Sequence, residues 1–184
     1  MNLGITDRLA PVLEAVRTFI RERVEPVEEE FLAEVENGER WALNERQLEI
    51  LEGLKTEARN QGLWNFWLTD SDRGHGLTTV EYAYIAEETG RSHLAAEAIN
   101  CSAPDTGNME VLERFGSDAL KREWLEPLLE GKIRSSYAMT EPDVASSDAT
   151  NISKSSVLEG GECILNGEKT YISGAGDHRC RIMI

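Results

Sequence analysis

The sequence predicts an α+β fold, helices first and strands after, and three observations carry that prediction. Apolar residues recur at intervals of three and four through the first two-thirds of the chain. Short extended runs separated by Gly-Gly and Asn-Gly pairs follow. The two patterns do not interleave, as they would in a doubly wound sheet. At 184 residues the chain suffices for one large domain or two small ones, and 40% hydrophobic with 29% charged residues is a globular composition. The change of period sets a boundary near Ile133, with a helical domain over residues 1–133 and a strand domain over 134–184.

Each element has a local reason. Leu9, Val12, Leu13, Val16, Phe19, Ile20 and Val24 share one helical face opposite Arg and Glu, with Pro11 in the first turn and Pro26 ending or bending the helix. Asn44 with Gln47 forms a capping box for a second helix whose inward residues are Leu48, Leu51, Leu54 and Ala58, closed by Gly62. Thr78 with Glu81 announces a third, which stops near Gly90, and a fourth runs from His93 to Ile99. Residues 105–115, with Met109, Val111 and Leu112, end at Gly116, and Ser117 caps a segment carrying Leu120, Trp124, Leu125 and Leu128 towards Gly131. Five or six helices with short joints predict a bundle.

Residues 134–140 then favour an extended segment, and 153–173 read as a meander of short strands. Gly160-Gly161 punctuates the first pair, and Asn166-Gly167 predicts a type I′ hairpin between Cys163-Ile164-Leu165 and Lys169-Thr170-Tyr171-Ile172. From Arg179 the apolar residues Cys180, Ile182, Met183 and Ile184 form a last strand. Some fifty residues of antiparallel strand with open edges are expected to belong to a domain cut short, so the chain is read as truncated inside its second domain.

Composition excludes several classes of function. A net charge of −15 repels phosphate backbones and anionic lipid, so nucleic acid is not expected as a partner. No run approaches the roughly 18 apolar residues of a membrane span and no signal peptide is visible, so membrane insertion is not expected and an intracellular protein is. Cys101, Cys163 and Cys180 lack disulfide or zinc spacing, and His75, His93 and His178 share no metal-ligand spacing; neither a disulfide framework nor a metal site is expected. No GxGxxG cradle for a dinucleotide occurs. Trp41, Trp64, Trp67 and Trp124 read as core or interface anchors, and Glu25, Glu28, Glu29 and Glu30 as a solvated helix face.

The stretch Tyr137-Ala138-Met139-Thr140-Glu141-Pro142-Asp143-Val144-Ala145-Ser146-Ser147-Asp148 is the most unusual. Hydroxyls, small residues and open backbone amides follow an extended segment. That is suitable geometry for a polar, anionic or heteroaromatic group bound without a formal positive charge, or for a capped turn between strand and loop. Together with Asn166-Gly167-Glu168-Lys169-Thr170-Tyr171-Ile172-Ser173-Gly174, and the approach through Trp124 to Ile133, this stretch resembles the acyl-CoA dehydrogenase flavoprotein family.

The resemblance implies an N-terminal helical domain, the first strands of a β-barrel-like middle domain, and FAD as cofactor. It places Tyr137, Met139, Thr140, Ser146, Ser147, Tyr171, Ile172 and Ser173 at the cofactor, and Ser147 also at the acyl-CoA substrate. Tyr171 stands where many members have tryptophan and Ser173 where threonine is common. The stretch after Pro142, Asp143-Val144-Ala145-Ser146, is longer and poorer in glycine than in many relatives. Hydroxyl and amide donors aimed at a ring that receives hydride stabilise the charge it gains.

The resemblance assigns no catalytic residue here. The base is a glutamate of a C-terminal domain, and Glu141 is a structural part of the loop. It further implies an electron-transfer acceptor protein, a homodimer or homotetramer, and a cytoplasmic or mitochondrial-matrix setting. The joint at residues 100–110 could border an acyl-chain tunnel, as in a branch linked to longer or 4-hydroxy chains, or could serve as a helix cap. Two other functions remain to be weighed: a non-catalytic binding or oligomerisation module that keeps the motif for structure, and a hydrolase built on Cys101 or Ser147, which lacks a placed histidine partner.

Overall fold

In a computed structural model, which describes residues 3–39, 41–69 and 73–184, helices come first and strands after. α1 (Leu9–Phe19) buries Leu9, Leu13, Val16 and Phe19, and is joined without interruption to α2 (Glu25–Ala33) by a π turn at Ile20–Val24. Pro26 therefore does not end the helix, one of the two outcomes its position allowed, and the run continues through a π turn. Proline supplies no N–H, and the widened turn before it takes up the mismatch by sending the Glu25 N–H to the Ile20 carbonyl. The same device recurs before Pro127, where α7 (Asp118–Leu120), a π turn (Lys121–Leu125) and α8 (Glu126–Leu129) form one run and Glu126 N–H bonds the Lys121 carbonyl.

Both predicted capping boxes are formed. Asn44 and Gln47 exchange bonds of 2.9 and 3.0 Å at the head of α3 (Glu45–Asn60), and Thr78 and Glu81 do so at α4 (Thr79–Thr89). Leu48, expected inward, is 36% exposed because it lies at the rim of the stripe formed by Gln47, Ile50, Leu51, Leu54 and Ala58; Lys55 is buried on that stripe instead. The helix expected from His93 starts later, as α5 (Ala95–Ala98). Ser92 Oγ accepts from the Leu94 and Ala95 amides, while the Glu28 carboxylate takes Ser92 Oγ and the His93 N–H. Glu28 is thus an inter-helix tie and not part of a purely solvated face.

α6 (Asp105–Phe115) buries Met109 and Leu112 but exposes Val111. α1 packs on α4, α2 on α3, and α3 on α5, while α6 rests on the second π turn and on β1 (Arg134–Ser136). Trp67 is buried and Trp64 and Trp124 pack against the core, but Trp41 is half exposed. Gly131, at φ +65°, ends the bundle where only glycine fits: a Cβ there would lie 2.9 Å from the Trp64 ring.

β1 pairs in parallel with β4 (Cys180–Met183), not antiparallel as expected, because the long connection between them lets the chain return in the same direction. β2 (Ser155–Glu159) pairs antiparallel with β3 (Glu162–Asn166) across Gly160-Gly161, both glycines at positive φ as a two-residue hairpin demands. The second predicted hairpin is absent. Gly167 sits at φ +153°, outside the type I′ range, and residues 169–172 form no strand against β3. Thr170 N–H instead reaches the Thr140 carbonyl at 2.9 Å, so a tertiary partner overrides the local turn signal.

Candidate functional site

The site is built where β1 leaves the bundle. Asp105 and Asn108, on the buried face of α6, turn to the strand: Asp105 Oδ1 accepts from Ser135 N–H at 2.7 Å and Ser135 Oγ at 2.6 Å, and Asn108 donates to Ser135 Oγ and to the Ser136 carbonyl. The chain continues extended, with the Ile184 N–H on the Ser136 carbonyl and the Ala138 N–H on the Ile184 carbonyl. Tyr137 and Thr140 project into solvent, while Met139 is half-buried.

Glu141, next in line, is buried and fully engaged. Its carboxylate accepts from Ser153 N–H and Oγ, from Lys154 N–H at 3.0 Å and from Lys169 Nζ at 2.8 Å. Its own N–H donates to Ser146 Oγ at 2.7 Å. The Lys169 ammonium, followed by the Ser153 and Lys154 donors, holds the carboxyl down at about 2. A carboxylate so committed has no lone pair to spend on a substrate proton, and Glu141 is excluded as a base on geometry.

Lys169 also donates to the Met139 carbonyl at 3.0 Å, and Thr170 N–H to Thr140 O. The structure thereby brings Met139, Thr140 and Tyr171 together. Tyr171 is 92% exposed and adopts φ +53°, uncommon for a side chain of its size, which tips the residue out of the extended run. Ile172 is half-buried and Ser173 exposed. Gly174 packs behind β1, where a Cβ would lie 3.4 Å from Ser136 Oγ. Among the described residues the hydroxyls of Tyr137, Thr140, Ser147, Tyr171 and Ser173 engage no protein hydrogen bond, a set of uncharged donors open to a ligand.

Ser146 and Ser147 separate. Ser146 is buried and occupied by the Glu141 amide, while Ser147 is exposed and no hydrogen bond links it to Thr140 or Tyr171. Three polar residues of the joint at residues 100–110, Asn100, Asp105 and Asn108, are engaged by the fold. Asn100, at φ +56°, donates to Asn65 Oδ1 and the Leu128 carbonyl, and Asp105 is turned to Ser135. The N-cap position of α6 is Pro104 and makes no side-chain cap, so the joint is not a helix cap. Burial pushes the Cys101 thiol up to about 12, against the pull of the Trp67 and Phe66 amides and the Tyr82 hydroxyl, so it carries no thiolate at neutral pH.

Sequence reasoning missed a charged hub beneath the site. Glu97 of α5 takes Arg134, Arg179 Nη1 at 2.6 Å and Lys55 Nζ at 3.3 Å, and Arg134 Nε lies 2.5 Å from Asp105 Oδ2. Burial raises Glu97, but Arg134, Arg179 and Lys55 outweigh it and hold the carboxyl below its ordinary value; in Asp105 burial wins over Arg134 and Ser135, and its pKa is raised. The signals available were polar residues on apolar stripes, Lys55 on α3 and Asp105 with Asn108 on α6. Beside Gly174 an open cleft of about 590 Å³ is walled by Val35, Trp41, Leu43 and Asp177. Among the described residues no group of three or more His, Cys, Asp or Glu side chains is placed to hold a metal ion, and no helix is long and apolar enough to cross a membrane.

Comparison with known proteins gives one consistent result. The family model described as "Acyl-CoA dehydrogenase, N-terminal domain" matches residues 6–132. Acyl-CoA dehydrogenase family member 10 of Mus musculus is 45% identical over 98% of this chain, and a probable acyl-CoA dehydrogenase of Mycobacterium tuberculosis is 53% identical over 73% of it. The chain spans 17% and 33% of the lengths of those two proteins. Among solved structures, a putative acyl-CoA dehydrogenase from Mycobacterium abscessus superposes with a TM-score of 0.90 at 46% identity, covering 98% of this chain and 46% of that one. A glutaryl-CoA dehydrogenase from Mycobacterium smegmatis, solved in complex with FADH2, gives 0.64 at 25% identity over 92% of this chain and 40% of that one.

Proposed function

The chain belongs to the acyl-CoA dehydrogenase family, and from that premise we propose that it supplies the helical domain (residues 1–133) and the flavin-facing strands (134–184) of an FAD-dependent enzyme. That enzyme oxidises acyl-CoA thioesters to 2-enoyl-CoA. The observation that carries the reading is the juxtaposition of the Met139-Thr140 segment with Tyr171 through Lys169 and Thr170, all hydroxyls of that wall being free for a ligand. The FADH2 bound by the glutaryl-CoA dehydrogenase relative points the same way.

In this reading Tyr137, Met139, Thr140, Ser147, Tyr171, Ile172 and Ser173 hold FAD and Ser147 also meets the acyl-CoA, while Ser146, buried with its hydroxyl on the Glu141 amide, supports the loop instead of the cofactor. Bound there, FAD would supply the acceptor for the β-hydride of the acyl-CoA. The residues present fit that group by their donor chemistry. Hydroxyls and backbone amides stabilise charge gained by a ring without carrying a charge themselves, and the Tyr171 face is open for stacking. The net charge of −15 opposes the phosphates of FAD and CoA, so local donors must offset a repulsive field. The family resemblance assigns the base to a glutamate of a C-terminal domain, and Glu141, committed to Ser153, Lys154 and Lys169, is not that base. The partners are acyl-CoA, an electron-transfer acceptor protein and further copies in a homodimer or homotetramer, and the setting is the cytoplasm or the mitochondrial matrix.

The test uses the natural full-length protein. It is expected to be yellow, and an acyl-CoA is expected to bleach its flavin band under anaerobic conditions. A colourless protein that FAD does not reconstitute overturns the reading.

A further inference from the structure

We infer that Lys169 is a positioning residue of the flavin-facing wall. By holding the Met139 carbonyl and the Glu141 carboxylate with one ammonium, it fixes how the Thr140 segment stands against Tyr171. The inference rests on the function proposed above and names a device that this function needs.

The argument is geometric. Tyr171 itself is almost wholly exposed, so its own contacts do not orient it. Its position follows from the two residues before it, and both are tied to the opposite segment: Thr170 by its N–H to Thr140 O, Lys169 by its side chain to Met139 O and Glu141 Oε1. The Glu141 carboxylate is a fixed anchor. Its side chain is 2% exposed, and Ser153 and Lys154 occupy its remaining acceptor sites. Lys169 is 14% exposed, and an ammonium presents three donors around one compact charge, so it satisfies a carbonyl and a carboxylate from a single point. A non-glycine residue at φ +53° persists only where its surroundings over-determine it, and this clamp is the nearest such constraint.

The ion pair joins a partly buried ammonium to a buried carboxylate and makes no hydrogen bond to the hydroxyl of Thr140 or Tyr171. It therefore acts on FAD through Met139, Thr140 and Tyr171, not by contact. An aromatic ring that shifts or tilts against a bound flavin changes the stacking contact, and with it the flavin's environment and visible band.

The experiment compares Lys169→Met, Lys169→Gln and Lys169→Arg in the natural full-length protein. It measures FAD affinity by titration, the shape of the bound-flavin visible band and its fluorescence, with far-UV circular dichroism of the apo forms. Lys169→Met is expected to weaken FAD binding on the order of tenfold or more and to alter the bound-flavin spectrum while the helical signal is unchanged. Lys169→Gln, which keeps one donor, falls between, and Lys169→Arg restores both affinity and spectrum. If Lys169→Met does not fold, the milder Lys169→Gln carries the test. Wild-type affinity and spectrum in the folded Met or Gln variant overturn the inference and leave the proposed function standing. A wild-type protein that binds no FAD overturns the proposed function and this inference with it. Loss of affinity with an unchanged spectrum, unrelieved by arginine, assigns Lys169 to folding alone and overturns the positioning role.

Discussion

The bundle and the strand segment of this protein are held by different forces. Every buried apolar side chain among the described residues lies between Leu9 and Leu128, from Phe19 and Phe66 at the centre to Leu125 and Leu128 at the end. Past Ile133 the buried groups are polar: Ser135, Ser136, Glu141 and Ser146. Only Ile182 and Ile184 lean on the core, while Val157, Leu158, Ile164 and Leu165 of the hairpin are exposed. The bundle is stabilised by area removed from water, at about 1.5–3 kcal/mol for each large side chain. The strand segment is stabilised by hydrogen bonds and ion pairs that reach back to the bundle. Rigid support and exposed hydroxyl-bearing groups are thereby divided between the two regions.

That contrast can be broken most directly by cavity formation. Phe19→Ala is expected to cost about 3–5 kcal/mol in urea unfolding, and Leu165→Ala, on an exposed hairpin, no more than about 0.5 kcal/mol. Similar losses for the two variants would mean that the hairpin is packed and the division of forces is wrong. The hub between the regions comes next. Glu97→Gln removes the carboxylate shared by Arg134, Arg179 and Lys55, which keep Asp105, Asp177 and Glu52 as their remaining partners, at a cost of about 1–3 kcal/mol. Hydrogen exchange should then report loosening of β1 and β4 ahead of the core helices. Uniform loosening would show that the hub serves the bundle and not the junction.

The smallest expected effect is acid sensitivity at Glu81. Its carboxyl is held down at about 2 by Arg8, then by the Thr78 amide and the Thr6 hydroxyl, against 4.5 ordinarily. A depressed native value means stability present in full above about pH 4.5 and lost as the pH falls towards 2. Comparing the wild type with Glu81→Gln in urea melts should show a stability difference at pH 7 that shrinks to nothing near pH 2. A difference independent of pH would assign the effect to the capping box alone.

How far these features were legible in the sequence depended on their range. Capping boxes at Asn44 and Thr78, the glycine stop at Gly116 and the Gly160-Gly161 hairpin are local, since each is decided by residues within four positions of one another. The Asn166-Gly167 hairpin was equally legible and did not form, because Lys169 and Thr170 found partners some thirty positions upstream. Likewise Ser146 and Ser147 are indistinguishable as neighbouring hydroxyls, yet the fold spends the first on the Glu141 amide and exposes the second.

The sequence by itself determined the order of helices and strands, the faces of the helices and the composition of the hydroxyl-bearing segment, because periodicity and turn chemistry act over a few residues. Only the tertiary structure decided that Lys169 and Glu141 meet, that Glu97 gathers three cations, and that Tyr171 stands clear beside Thr140. Those pairings depend on electrostatics and hydrogen bonding between segments distant in the chain, where the alternatives are set by which groups burial has deprived of water.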